Sequence, residues 1–180
     1  MSKQAADDLK RARAVVADEE AWVQGEFCTF NYDDDNRRRT DVPSAYCVEG
    51  ALYSAMGIED ETIREHGKIH FQYELQEHQD EKFDRYVETS FYYHLALFQL
   101  KPWVFKSDYF THATVRESIK NGTTFIPYFN DDTRTKHEDV LEIFDHAIEL
   151  AKSGRYDVPG SDVITKLIVP SEDRPHDVVD

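Results

Sequence analysis

Apolar residues recur at helical spacing along much of the chain. Ala5, Leu9, Ala12 and Val16 lie three or four residues apart, which predicts a helix over residues 3–17 with Ser2 as N-cap. Asp7 and Asp8 toward its start, with Lys10, Arg11 and Arg13 toward its end, suit the helix macrodipole. A second stripe, Cys47, Val48, Ala51, Leu52 and Ala55, follows Val42-Pro43, with Ser44 as N-cap and Gly57 as terminator. Residues 59–100 read as helix in at least two pieces: Gly67 weakens the first and Pro102 stops the second. Phe83, Tyr86, Val87, Phe91, Tyr92, Leu95 and Phe98 give that second piece a wide apolar face. A short helix is expected over 111–120, between Thr111 and Asn121-Gly122. The clearest element is 136–153, where Thr135 and Glu138 read as a capping box and Gly154 as the residue past the end. Its apolar face is Val140, Leu141, Phe144, Ala147, Ile148 and Ala151.

Three stretches lack that period. Residues 22–32 are rich in β-formers around Gly25 and read as a short strand or ordered loop, followed by a polar loop over 33–41. Residues 125–129 read as extended, and Pro127 confines them to a sheet edge. Residues 163–169 could add a strand, and 171–180 form a flexible tail. The expected fold is mainly α, a single compact helical domain over 1–170 with at most a small two-stranded β element. An α+β fold is the minor alternative.

Composition narrows the classes of function. The chain has 180 residues, 36 acidic against 21 basic, for a net charge of −15. Leu, Ile, Val and Phe make up roughly a quarter of it, above the roughly 20% below which highly charged chains stay disordered. No apolar run reaches the roughly 18–20 residues of a membrane span, and none after Met1 resembles a secretory leader. The acidic excess argues against DNA binding by charge and for a cationic protein partner. Much of it lies in 59–88 and 130–149, as solvated helix faces. Two cysteines, Cys28 and Cys47, do not make a disulfide framework; they suit a reduced, cytoplasmic protein (host cytoplasm if phage-encoded).

Four constellations could carry chemistry. Counted from Ser44, Cys47 falls in the first helical turn, where unpaired N–H groups favour a thiolate, and His137 with Asn130 or Asp131 could serve as base and orienting group. The plainer account is a small buried thiol beside Ala51. His66, His70 and Glu74 share a helical face, with His78, Glu65 and Glu77 nearby, and could offer two imidazoles and a carboxylate to zinc or iron. The plainer account is a solvated polar face, since the Glu of H-E-x-x-H is missing and Gly67 interrupts the series. Arg37-Arg38-Arg39 could grip phosphate, but three preceding aspartates make local ion pairs the simpler outcome. Asn130-Asp131 ahead of a helix reads first as turn chemistry. No Gly-rich phosphate loop or CxxC pair is present, and no cofactor is expected.

Several of these pieces stand in a familiar order. Trp22-Val23-Gln24-Gly25, Tyr46-Cys47-Val48-Glu49-Gly50-Ala51-Leu52, Phe129-Asn130-Asp131 and the helix carrying Thr135, Val140 and Leu141 follow one another. The arrangement resembles an uncharacterised family of small bacterial and phage proteins, patterned W-x-Q-G, then C-x-x-G-A-L, then W/F-N-D, then T-x-x-x-x-V-L. The likeness covers residues 4–57 and 125–152, and the longer stretch 58–124 reads as a helical insertion. Phe129 replaces the Trp usual before Asn-Asp. The resemblance brings no activity; it implies that Trp22, Gln24, Cys47, Gly50, Asn130 and Asp131 converge. Gly50 would then allow close packing of its helix on the Trp22 segment, and Asn130 with Asp131 would satisfy backbone groups of the Gln24-Gly25 turn. The reading that follows is a non-enzymatic, acidic interaction or accessory protein. The alternatives are a small hydrolase or transferase using Cys47, and an acidic counter-defence protein that imitates DNA.

Overall fold

The computed structural model of the chain describes residues 3–31, 35, 43–57, 81–105 and 125–153, without the side chains of 81–84, 87 and 105. Five helices and one small antiparallel sheet make up these parts, so the protein is mainly α. The expectations for Ser2, for 58–80 including His66, His70 and Glu74, for Arg37-Arg38-Arg39, for 111–120 and for everything past 153 lie outside the described residues.

Helix α1 (Lys3–Val15) buries Ala5, Ala6, Leu9 and Ala12. Small residues on that face let it lie close against both α2 (Val48–Ala55) and α5 (His137–Ser153). Helix α3 (Glu81–Leu100) packs across α5 and α1 and touches α2. It falls within the stretch read as an insertion, yet Tyr86, Tyr92, Tyr93, Ala96 and Leu97 belong to the same continuous core as Leu9, Leu52 and Phe144. A helix in contact with three others is apolar around most of its circumference, which explains its broad stripe. It ends at Leu100, followed by a 3-10 turn at Pro102–Phe105. Lys101 ties this end to the start of α5, with Nζ 2.6 Å from Asp139 and 3.1 Å from Glu142.

One acid of α1, Asp8, has another role than that read from the macrodipole. Asp8 is fully buried, bound by Arg11 one turn on and by Arg85 of α3, whose Nη2 lies 2.7 Å away. Arg11 also donates to the Ala55 carbonyl at the end of α2, at 3.0 Å. Asp8 therefore ties α1 to α3 as a buried, multiply bonded carboxylate, a kind of group whose partner cannot be removed cheaply.

Strand β1 (Cys28–Thr29) pairs antiparallel with β2 (Ala45–Tyr46). A parallel bridge from Trp22 to Tyr46, after a 3-10 turn at Glu19–Ala21, draws Trp22 and Val23 to the other side of β2. This pairing corrects the N-cap expected at Ser44. Ser44 donates its N–H to Thr29 O at 2.8 Å, Ala45 and Tyr46 are extended, and α2 starts three residues later with Cys47 as N-cap. Sheet bonds satisfy the backbone there, so the helix cannot begin earlier. Gly57, at φ +70°, follows the end of α2 in the left-handed region, as expected.

Two other expectations are corrected. Residues expected to be extended form the short helix α4 (Ile126–Asn130). Pro127 stands in its first turn, where the missing N–H breaks no helical bond, and burial of Phe125, Ile126 and Phe129 overrides their β preference. The capping box expected at Thr135 and Glu138 is replaced by half of one, set one residue later. Thr135 Oγ1 donates to Phe129 O at 2.6 Å, and Asp139 takes the Lys136 N–H at 2.9 Å. The helix itself buries Val140, Ile143, Phe144, Ala147, Ile148 and Ala151 on one face.

His94 of α3 positions α4. Its Nδ1 lies 2.7 Å from Ser90 O, and its Nε2 accepts the Phe125 N–H at 2.9 Å. Both bonds are made by the neutral Nδ1–H tautomer. Burial lowers the ring's pKa to about 4, against which the Ser90 carbonyl acts weakly in the other direction. The unfolded chain thus binds the proton more tightly, and stability falls as pH drops from about 6.5 toward 4. Urea unfolding at pH 7 and pH 4 should show this loss, about 2–3 kcal/mol for this group. His94→Gln, which retains an acceptor but no titrating ring, should flatten that part of the profile.

Candidate functional site

Asn130 ends α4 beside the N-terminus of α2 and the Trp22 segment, and it is 1% exposed. A carboxamide has two donor hydrogens and two acceptor lone pairs. Oδ1 of Asn130 accepts from Trp22 Nε1 at 2.8 Å and from the Val48 N–H at 3.2 Å. Nδ2 donates to Val23 O at 3.1 Å and to Asp131 Oδ1 at 2.7 Å. All four positions are filled, and the Asn130 backbone carbonyl accepts from Gln24 Nε2 at 2.6 Å. One side chain thereby joins an indole, a strand-like backbone and a helix N-terminus.

The neighbours extend the network. Asp131 Oδ1 also accepts the Gly25 N–H at 2.9 Å, and Gln24 Nε2 reaches Asp132 O at 3.2 Å. Gly25 has φ +79°, so the turn that presents this N–H needs glycine. After α4, Arg134 folds back on Asp132 (2.7 Å) and lies 4.0 Å over the Trp103 ring. The Arg134 guanidinium, helped by its backbone N–H, holds the Asp132 carboxyl down to about 2.

Cys47 and Gly50 form the floor of this region. Cys47 is 3% exposed, and its sulfur accepts the Gly50 N–H at 3.3 Å, capping α2 from within, while Asn130 takes the first N–H of the helix. The Cys47 N–H binds Phe27 O at 3.0 Å. A methyl group at Gly50 would stand 2.5 Å from that same carbonyl and 3.2 Å from the Phe27 ring. Absence of a side chain is therefore what lets α2 approach the 22–29 segment. Neither Cys28 nor Cys47 is in a disulfide.

Trp22, Gln24, Cys47, Gly50, Asn130 and Asp131 thus meet in one place. His137 borders them with a separate partner: its Nε2 donates to Val16 O at 2.7 Å, and its ring lies 5.9 Å from Trp22. That bond directs Nε2 to the backbone just past the end of α1. Among the described residues, no group of three or more His, Cys, Asp or Glu could hold a metal ion, and no helix is long and apolar enough to cross a membrane. Sequence reasoning missed the carbonyls of Val23, Phe27 and Asp132, because backbone groups carry no residue signature. It also missed Glu49, which is fully buried and accepts from Tyr86 Oη at 2.9 Å. A carboxylate next to the apolar Val48-Ala51-Leu52 run was the available signal.

These features define a small helical protein whose motif residues form an inter-element hydrogen-bond clasp. The family model described as "Family of unknown function (DUF6197)" matches residues 1–150, and the chain belongs to that family. No curated protein and no solved structure matches it.

The clasp can be tested by stability. Asn130→Ala leaves Trp22 Nε1, the Val48 N–H and Val23 O without this partner, and should cost about 3–5 kcal/mol in urea unfolding. Gln24→Ala, on the rim, should cost only about 1 kcal/mol. Gly50→Ala should cost about 1–3 kcal/mol through the forced shift of Phe27. An Asn130→Ala loss no larger than that of Gln24→Ala would contradict the central place of the carboxamide.

Proposed function

We propose that the chain is an acidic, non-enzymatic interaction or accessory protein of the bacterial or phage cytoplasm. In this reading its motif residues hold the fold, and its surface meets a cationic protein. The observation that carries the reading is the saturation of the clasp. Every hydrogen-bonding position of the Asn130 carboxamide is taken by the protein itself. The Cys47 thiol is buried and engaged by the Gly50 N–H, and His137 is bonded to a main-chain carbonyl. A nucleophile needs an adjacent base and access for its substrate; among the described residues, the burial of Cys47 and the Val16 bond of His137 count against both. The net charge of −15 supports a partner rich in Lys and Arg. A DNA-like decoy is less well supported. In the surface groove between α1 and α5, Asp145 and Glu149 are interleaved with Lys10, Arg13 and Lys152, whereas a phosphate-like array would be uniformly negative.

Iodoacetamide labelling of the native chain, read by mass spectrometry, separates this reading from the cysteine enzyme. Cys28, which is partly exposed, serves as the internal reference. Cys47 should stay unmodified until urea unfolds the chain; native labelling faster than a free thiol would favour the hydrolase or transferase. Affinity capture should then yield a specific partner that is released as salt rises from about 0.1 M to about 1 M. Absence of any specific partner, together with measurable turnover, would overturn the proposal.

A further inference from the structure

Helices α1 and α5 leave between them a surface groove of about 490 Å³ whose two walls differ in sign. Lys10 and Arg13 stand on the α1 wall, and Asp145 and Glu149, with Lys152, on the α5 wall. Ile148 and the exposed Ala14 add apolar lining between them. Arg13 bonds across the groove, with Nε 2.6 Å and Nη2 2.9 Å from the two carboxylate oxygens of Asp145. The other charges pair along their own helix, Lys10 with Asp7 and Lys152 with Glu149, three residues apart. The side chains of Lys10, Lys152 and Glu149 are 50%, 47% and 68% exposed. Ion pairs so placed contribute little, so these groups exchange partners readily.

The sign pattern selects the occupant. A partner of one sign would leave one wall facing like charge, which is unfavourable at contact. A closed dimer needs a self-complementary patch: where residue i meets j of the second copy, j meets i. A basic wall beside an acidic wall meets that condition. A two-fold axis running along the groove lays α1 of each copy over α5 of the other and keeps every residue at its own level. Residues that face one another across the groove within a chain then face one another again between chains. The Arg13–Asp145 and Val16–His137 contacts show that α1 and α5 run antiparallel, which sets Lys10 level with Glu149. The net charge of −15 opposes a second copy at long range, but that repulsion is screened beyond about 8 Å at physiological ionic strength, so the local pattern decides what meets. We infer that the α1–α5 groove is a self-association face, which forms a weak, two-fold symmetric contact with a second copy of this chain through Lys10 and Glu149. The inference does not rest on the cationic partner proposed above.

Sedimentation velocity of the full chain tests it. The weight-average sedimentation coefficient should rise between about 10 µM and about 1 mM chain, the range suited to a small, polar interface. Lys10→Glu and Glu149→Lys alter exposed side chains, and each sets like charges opposite one another in a dimer. Each variant alone should stay monomeric over that range. An equimolar mixture of the two should associate again, because the mixed pair restores opposite charges at both contacts. That rescue also shows that the variants are folded. A parent chain that stays monomeric, single variants that associate like the parent, or a mixture that stays monomeric would each overturn the inference. Shifts of the groove's amide resonances when inorganic phosphate or polylysine is added to dilute chain would overturn it as well, since they would assign the groove to an anion or to a cationic partner.

Discussion

The carboxamide of Asn130 is the interaction on which the arrangement of the other elements depends. Periodic packing explains why α1, α3 and α5 associate. It does not explain how the short sheet is placed against them, because two-residue strands are too small to specify a register by area. Asn130 supplies the direction. It takes the first N–H of α2, the indole of Trp22 and the carbonyl of Val23 at once, and a carboxamide bonds well only along its own plane. Removing any of these groups from water costs free energy unless the match is close. The saturated network therefore favours one geometry over near alternatives, as fully satisfied buried networks do.

The remaining polar groups of the interior follow the same logic. Asp8 is gripped by Arg11 and Arg85 where α1 crosses α3, and Glu49 by Tyr86 where α2 meets α3. Thr135 fastens the start of α5 to the carbonyl of Phe129 one residue before Asn130. The Asp8–Arg85 and Glu49–Tyr86 contacts link elements far apart in sequence, and all of these groups sit where two helices or a helix and a loop converge. Apolar burial supplies most of the driving force for association, and these bonds select which association occurs.

Much of the helical framework was legible in the sequence. The stripes of α1 and α5 fall where the three-and-four spacing put them, because a helix against a core must place its apolar residues on one side. Gly57 and Pro102 end elements for local reasons that hold in any context. The three failures have a common cause. Ser44 is a good cap in isolation but is bonded to Thr29 of a strand. Phe125 to Phe129 has β-forming residues but is wound into a helical turn under burial. Thr135 was the expected capping residue, yet its hydroxyl points to Phe129 O. In each case a group outside the local element changed which local option was best. The resemblance in motif order brought together the residues of the clasp, but the direction of each bond could not be read from residue types alone.

By itself, the sequence determined that the protein is mainly helical, acidic and able to bury a core, because composition and periodicity act through local geometry and transfer from water. Only the tertiary structure decided what its distinctive residues do. Cys47, with the look of a nucleophile at a helix start, is a buried cap because β2 delays that helix and Phe27 and Asn130 close over it. His137, with the look of a base, donates to Val16. The physical reason is that a polar side chain's role is set by which groups remain for it once the backbone has folded, and that is a property of three dimensions.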